Sequence, residues 1–408
     1  MFHLPYLAAA LNDEFVDYLL VMGLYPLPII KKILSVTPIA SKSKSKILER
    51  QQDIPQSRVL ISLLSELLAH AQSISKRLKL NHTLQNQITN LVHSHFSKNV
   101  SVKLLKHKPM IYHYRCAFGL ESLKVADRIQ SIKLCDHSIA HPAHIQYLID
   151  NHGKLPCSQT PNDAQLSESS LLCMKLDLDN ADHIVVNSSF VRKSLVHAGI
   201  PSSCISVIEV CVDQRIIQHS VDSFNKVTKL GASSLIYAGG WIKRKGVVNL
   251  AKAIEHLDGR VSLRIAGASE DSVNALCHEY NVTPSNLKPL GYLSRQELAL
   301  ELLKSQIFVF PSFCEGYAKT IQEAMVCGCY IIATENSGFS LFPGAYGTIV
   351  EPGDTLHLAE AIAEALADPL LLEYGRRNRE VALKRFSPQR YANRITKLYQ
   401  RLLQNKHN

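Results

Sequence analysis

The sequence predicts an α/β protein of two parallel-sheet domains, and three observations carry that expectation. Strand-like apolar runs alternate with stretches of helical spacing, as parallel strands joined by crossover helices require. A length of 408 residues exceeds one ordinary α/β domain and suits two. A central stretch, residues 308–325, reads as strand, loop and helix start: an apolar run, then Pro311, Ser312 and Gly316, then helical spacing up to Gly328. Such a loop delivers Glu315 to the carboxyl end of a strand, where open α/β sheets place ligands, and the first helix amides aim at the same spot. Glu323 falls about two turns into the helix, on roughly the same face as its start. Two carboxylates then flank a niche of phosphate size.

In chain order, residues 1–11 read as helix, from Leu4, Leu7, Ala8 and Leu11. No strand with a glycine-rich turn precedes it, so either the first strand of this domain is absent or the true start lies upstream. Residues 17–23 suggest a strand, 28–36 a short helix, and 41–56 a polar, Lys-rich loop. Helical spacing covers 60–80 and 82–96; 109–114 is strand-like and 117–128 helical. A short strand at 131–134 runs into His137, His141 and His144. Residues 167–180 read as helix and His183–Val186 as strand, and 214–232 are polar and weakly patterned, as a linker would be. A fresh unit begins with a strand at 235–238, followed by Gly239-Gly240, the cations Lys243, Arg244 and Lys245, and the helix Val247–His256. A glycine pair lets amides approach a phosphate closely, and the cations supply charge. Strands follow at 261–266 and 286–291. Ser294 caps the helix Arg295–Lys304, with Glu297 in the capping-box position. Strands at Tyr330–Ala333 and 347–351 precede a last helix, capped by Ser387 with Pro388 in its first turn, that reads to Leu403.

Composition narrows the class. Hydrophobic residues make up 46% and charged residues 20%, as in a globular protein in water. The ten cysteines hold no C-x-x-C pair, which suits buried thiols in a cytoplasmic protein rather than a disulfide framework or a zinc site. No secretory leader pattern opens the chain. Residues 18–30, broken by Pro26 and Pro28, are too short an apolar run to span a bilayer. The net charge of +10 is concentrated early: residues 1–110 hold 14 Lys plus Arg against 6 Asp plus Glu. A solvated basic face, a patch for anionic lipid that would hold the protein peripherally on the inner face of a membrane, and a nucleic-acid surface are the competing readings. Nucleic acid is disfavoured, since Lys42, Lys44 and Lys46 alternate with Ser and no aromatic platform accompanies them. Three imidazoles could converge on a metal, but no cysteine or carboxylate completes the set, so no metal is expected. Asp177-Leu178-Asp179 lies in a helical stretch rather than at a strand end, which favours a structural role.

Glu315 and Glu323, followed by Ala324-Met325 and Gly328, resemble the E-x7-E signature of retaining group 1 (family 4) glycosyltransferases. These have the GT-B fold, two Rossmann-like domains facing each other across a cleft, and use nucleotide-sugar donors. The run from Ala181-Asp182 and Ile184 to Ser188 and Phe190 is similar to the segment that closes the family's N-terminal domain. Gly239-Gly240 with Lys245-Gly246 resembles its G-R-x4-K-G loop, except that Gly240 replaces the arginine; Arg244 is the expected substitute. Cys211 stands where relatives carry a glycine, a second departure. The resemblance implies domains at 1–215 and 216–385, with 386–408 packing back on the first. It makes Glu315 and His141 the catalytic candidates, His141 through the pattern Asp136-x-Ser138-x-x-His141. The donor would be held by Gly239, Gly240, Arg244 and Lys245, by Gly291 and Tyr292 at the base, and by Gly316, Tyr317, Ala318, Lys319 and Glu323. The implied reaction is sugar transfer with retention to a glycan or lipid-linked acceptor hydroxyl, without cofactor or metal. The alternatives are an inactive scaffold of the same fold and a sugar-nucleotide epimerase.

Overall fold

The computed structural model describes residues 4–11, 16–23, 25–26, 32, 54–78, 81–141, 144, 168–231 and 234–407. The segment expected as a helix at 28–36, apart from Lys32, and residues 41–53 of the loop expected at 41–56 fall outside them. The chain opens with α1 (Leu4–Ala10), β1 (Leu20–Met22), β2 (Val59–Ile61), α2 (Leu63–Arg77) and α3 (His82–His107). It continues through β3 (Ile111–Arg115), α4 (Glu121–Arg128), β4 (Ile132–His137), α5 (Glu168–Asp179), β5 (His183–Val186), α6 (Ser189–His197) and β6 (Ile205–Val207). Strands β3-β4-β5-β6 form a parallel sheet, and β1 and β2 a separate parallel pair. All six residues of β4 are buried, the signature of a parallel strand covered on both faces.

Several boundaries differ from the spacing argument; α3, expected at 82–96, runs on to His107. A helix was expected to begin at residue 60, yet Val59-Leu60-Ile61, two of them β-branched, pair in register with Leu20-Val21-Met22. The helix expected from 117 starts at Glu121, because Ala117 (φ 77°) and Leu120 (φ 42°) sit in the left-handed region.

The second unit comprises α7 (Gln214–Ser223), β7 (Ser234–Ala238), α8 (Val247–His256), β8 (Ser262–Ala266), α9 (Glu270–Tyr280), β9 (Leu287–Gly291), α10 (Arg295–Lys304), β10 (Ile307–Phe310), α11 (Lys319–Val326), β11 (Tyr330–Ala333) and β12 (Gly347–Ile349), with α12 (Thr355–Ala367) and α13 (Leu371–Arg385) behind it. Its six strands run in the order β12-β11-β10-β7-β8-β9, and every pairing is parallel. Ile307-Phe308-Val309-Phe310 is almost wholly excluded from solvent. The capping box at Ser294 and Glu297 forms as expected.

The linker expected at 214–232 is largely a helix. Asp213 caps α7 by accepting from the Arg215 amide, and Ile216 is buried in the core of the second unit. Its apolar positions 216, 217, 221 and 224 were masked by interleaved polar residues, so composition hid the period. Phe386 ends that core, and α14 (Pro388–His407) crosses back: Tyr391, Ala392, Ile395 and Leu398 pack with Tyr6 and Leu7 of α1 and with Leu134 and Val185. Two chain segments therefore join the units, and they are tied together where the Val212 amide donates to the Phe386 carbonyl (3.0 Å) and Glu209 pairs with Arg385 and Arg394.

Candidate functional site at the sheet switch point

Strands β7, β8 and β9 fill one half of the second sheet; the chain then returns to lay β10 on the other side of β7, Phe308 opposite Ile236. Between β7 and β10 the strand order reverses, and the loops leaving their carboxyl ends diverge from one crevice, the place where doubly wound sheets take ligands. The loop after β7 is residues 239–246 and the loop after β10 is 311–318. Sequence spacing alone could not have shown that they are neighbours.

Glycines let them pack together. Gly246 (φ 71°) begins α8, and a Cβ there would collide with the Pro311 carbonyl. The amide of Phe313 and the hydroxyl of Ser312 donate to the Arg244 carbonyl, at 3.0 and 3.2 Å. Tyr237, stacked on Phe310, donates its hydroxyl to the Gly240 carbonyl (2.8 Å) and so holds the glycine pair in place. Arg244 Nη1 then lies 2.9 Å and Lys245 Nζ 3.4 Å from Glu315 Oε1. Arg244, the expected stand-in for the missing arginine, reaches the site. Gly239, Gly240, Arg244, Lys245, Glu315 and Gly316 are thus assembled.

Glu323 lies deeper, 2% exposed, with Oε1 3.0 Å from Arg295 Nη1. Burial raises its carboxyl pKa, opposed by Arg295 and Lys319. Oε2 is buried with no hydrogen-bond partner among the described residues. An acceptor in that state calls for a donor that the protein does not supply. Arg295 was not among the residues expected here, although its place at the start of a capped helix beside the 290–294 turn was visible in the sequence. Around this pair Asp213 accepts from the Tyr6 hydroxyl (3.1 Å) and from Arg215. Burial alone would raise the Asp213 carboxyl, but the Arg215 bonds and charge and the Arg295 charge bring it below the usual range.

Two expected contributions change. The Ala318 amide, assigned to a phosphate, donates instead to the Ser337 carbonyl (2.9 Å), because the 335–337 turn packs against the start of α11. The Lys319 ammonium sits 4.5 Å from the centre of the Tyr6 ring, and burial lowers its pKa. Gly291 (φ 70°) accepts the Gly267 amide at 2.7 Å, and Tyr292 is 76% exposed, so main chain rather than a pocket wall is what this turn offers. Tyr317 is half-buried, and burial of its phenol drives the pKa upward, on the side of Glu209.

The three histidines separate. His141 was expected across the cleft from Glu315; its amide donates to Ser194 Oγ (2.9 Å) and its ring lines a cavity of about 240 Å³ with Leu171, Leu172, Met174 and Lys175, against α5 of its own unit. His144 packs edge-on to Phe190 and His197. The first unit instead brings residue 138 to the cleft. A Cβ on Gly316 would collide with the Ser138 carbonyl, and Ser188 Oγ donates to the Gly316 carbonyl (2.6 Å). His137, next to this contact, is 1% exposed with Nε2 unpartnered among the described residues. Its position as the last residue of a strand was the available signal. Asp177 is structural: fully buried, it accepts from the amides of Gly119 (2.7 Å) and Leu120 (3.0 Å), and burial pushes its carboxyl up to about 7. Cys211 fills the core against Tyr6 and Leu7, and burial moves its thiol up to about 11.

Two facing parallel-sheet units, with a basic, acid-bearing crevice at the switch point of the second, define a GT-B architecture. Residues 222–385 match the family described as glycosyl transferases group 1. O-antigen chain mannosyltransferase B of Escherichia coli is 24% identical over 202 residues, which cover 47% of this chain and 53% of that protein. An uncharacterized glycosyltransferase of Methanocaldococcus jannaschii is 24% identical over 347 residues, covering 82% and 93%. The chain spans about half the length of the first curated relatives it matches, 53% and 47% of each. Among solved structures, Anabaena HepE in complex with UDP and glucose superposes with a TM-score of 0.59 at 14% identity, covering 97% of this chain and 94% of that one. The match to the group 1 glycosyl transferases thus covers the second unit of the chain.

Proposed function

We propose that this protein transfers a sugar, with retention of anomeric configuration, from a nucleotide-sugar donor to an acceptor hydroxyl on a glycan or lipid-linked substrate. The observation that carries the reading is the convergence of Arg244, Lys245 and Glu315 at the switch point. In this state Glu315 pairs with both cations and offsets one of their two charges. A donor diphosphate would take over Arg244 and Lys245 and release Glu315 toward the sugar hydroxyls, so donor binding exchanges one set of ion pairs for another. As the bond to the sugar breaks, negative charge grows on the departing diphosphate, where these cations stabilise it. The open Oε2 of Glu323 supports a ribose hydroxyl as its donor. His137 is the better candidate than His141 for the face opposite Glu315. Closure of Ser138 and Ser188 onto Gly316 would keep water from the reacting carbon. A UDP-sugar donor is supported by the HepE complex and a mannosyl or N-acetylglucosaminyl donor by the curated relatives.

The test is a thermal-shift screen against UDP, GDP, ADP and their sugar conjugates, repeated with Lys245→Ala. A rise with one nucleotide that the variant loses supports the donor site and names the base; no rise with any of them refutes it. A second reading, a non-catalytic scaffold, is favoured by Gly240 and the committed Ala318 amide. It predicts nucleotide binding without turnover, unaltered by Glu315→Gln.

A further inference from the structure

On α2, Leu63 (50%), Leu64 (52%), Leu67 (64%) and Ile74 (54%), with Leu78 (66%) just beyond it, are exposed. At 100° per residue they fall within one arc of about 100°. The helix therefore turns its apolar stripe to solvent, the reverse of a surface helix packed on a core. Its opposite side is the one anchored: Ser65 Oγ bonds His95 Nδ1 (2.9 Å) and Gln72 donates to Thr89 (2.7 Å), both on α3. Along the outer line of α3, Leu84, Leu91 and Leu105 are also 39–53% exposed, with exposed Lys98 midway between the last two. A monomer that keeps its apolar surface scattered needs no explanation; a stripe four turns long does.

The charge around it selects the partner. Between residues 54 and 108 the sequence carries eight Lys or Arg and one acid, Glu66. A second copy of this chain would bring the same excess of cations to the contact and be repelled. The partner must be negatively charged at its surface and apolar just beneath. We propose that the α2–α3 hairpin docks in the plane of a bilayer containing anionic lipid, with leucines entering the acyl boundary and lysines meeting the headgroups. This surface lies outside the switch-point crevice, so the inference stands or falls independently of the donor assignment.

The experiment is sedimentation of the full chain with vesicles of phosphatidylcholine alone and with about one third phosphatidylglycerol. The expected result is binding to the second kind only, weakened about tenfold or more by Leu67→Gln with Ile74→Gln, and separately by Lys98→Glu with Lys106→Glu. All four residues are exposed, and an unchanged melting temperature would show the variants folded. Absence of binding to either vesicle, or binding indifferent to the Leu67 and Ile74 changes, overturns the proposal. So does size-exclusion chromatography in which that variant turns a dimer into a monomer, since the stripe would then be a contact between copies.

Discussion

Replacing Arg295 by Met would leave Glu323 as a buried carboxylate without its hydrogen-bonded cation. Removing one partner of a fully buried pair costs about 3–5 kcal/mol. Arg295 is 35% exposed and Lys319 remains nearby, so the expected loss is smaller, about 2–4 kcal/mol. For a unit of this size that lowers the melting temperature by about 4–16 °C. The effect has a pH signature. Burial raises the Glu323 carboxyl in the folded state, and loss of Arg295 raises it further. A carboxyl with a raised folded pKa carries its penalty above the unfolded value of about 4.3, and the penalty fades as pH falls toward that value. Urea denaturation of Arg295→Met at pH 7 and pH 4.5 should therefore show the deficit shrinking at the lower pH. Arg295→Met combined with Glu323→Gln should recover at least half of it. A single variant within about 1 kcal/mol of the parent at pH 7, or a double variant no more stable than the single, would refute the buried-charge account.

Other outcomes follow from particular contacts. Gly246→Ala places a Cβ against the Pro311 carbonyl at φ 71° and should cost about 2 kcal/mol or more, whereas Gly240→Ala, with nothing within 4 Å, should be nearly neutral by chemical denaturation. Gly316→Ala sets a Cβ against the Ser138 carbonyl of the facing unit; nucleotide thermal shifts should persist while transfer falls about tenfold or more, and full activity would argue against closure as a requirement. Burial and the Arg401 charge hold the His183 pKa down to about 4. Because it lies below the unfolded value of about 6.5, the penalty is absent above pH 6.5 and grows as pH falls toward 4, to about 3 kcal/mol at most. His183→Asn should flatten the stability profile across that window.

Much of the second unit was legible from sequence. Parallel strands buried on both faces must be continuous apolar runs, and crossover helices bring their own capping signals, so Val247–His256, Arg295–Lys304 and Tyr330–Ala333 emerge with the expected bounds. Glu315 and Lys245 were legible because glycine, proline and charge at a strand-to-helix turn have few other uses. Helix α7 was not, since its apolar positions are diluted by polar neighbours, and β2 was not, since three residues carry too little period to outweigh the helix that follows.

Which groups meet was decided by tertiary structure. The sequence by itself determined the α/β class and the strand–loop–helix character of the 239–246 and 311–318 segments, because each of these is a property of local spacing. Only folding put Arg244 and Lys245 on the same carboxylate, set Arg295 on Glu323, brought Tyr6 to Asp213 across 207 positions, and turned residue 138 rather than His141 toward Gly316. Strand order and the return of the last helix fix those pairings. Neither is written in any stretch short enough to show a periodicity.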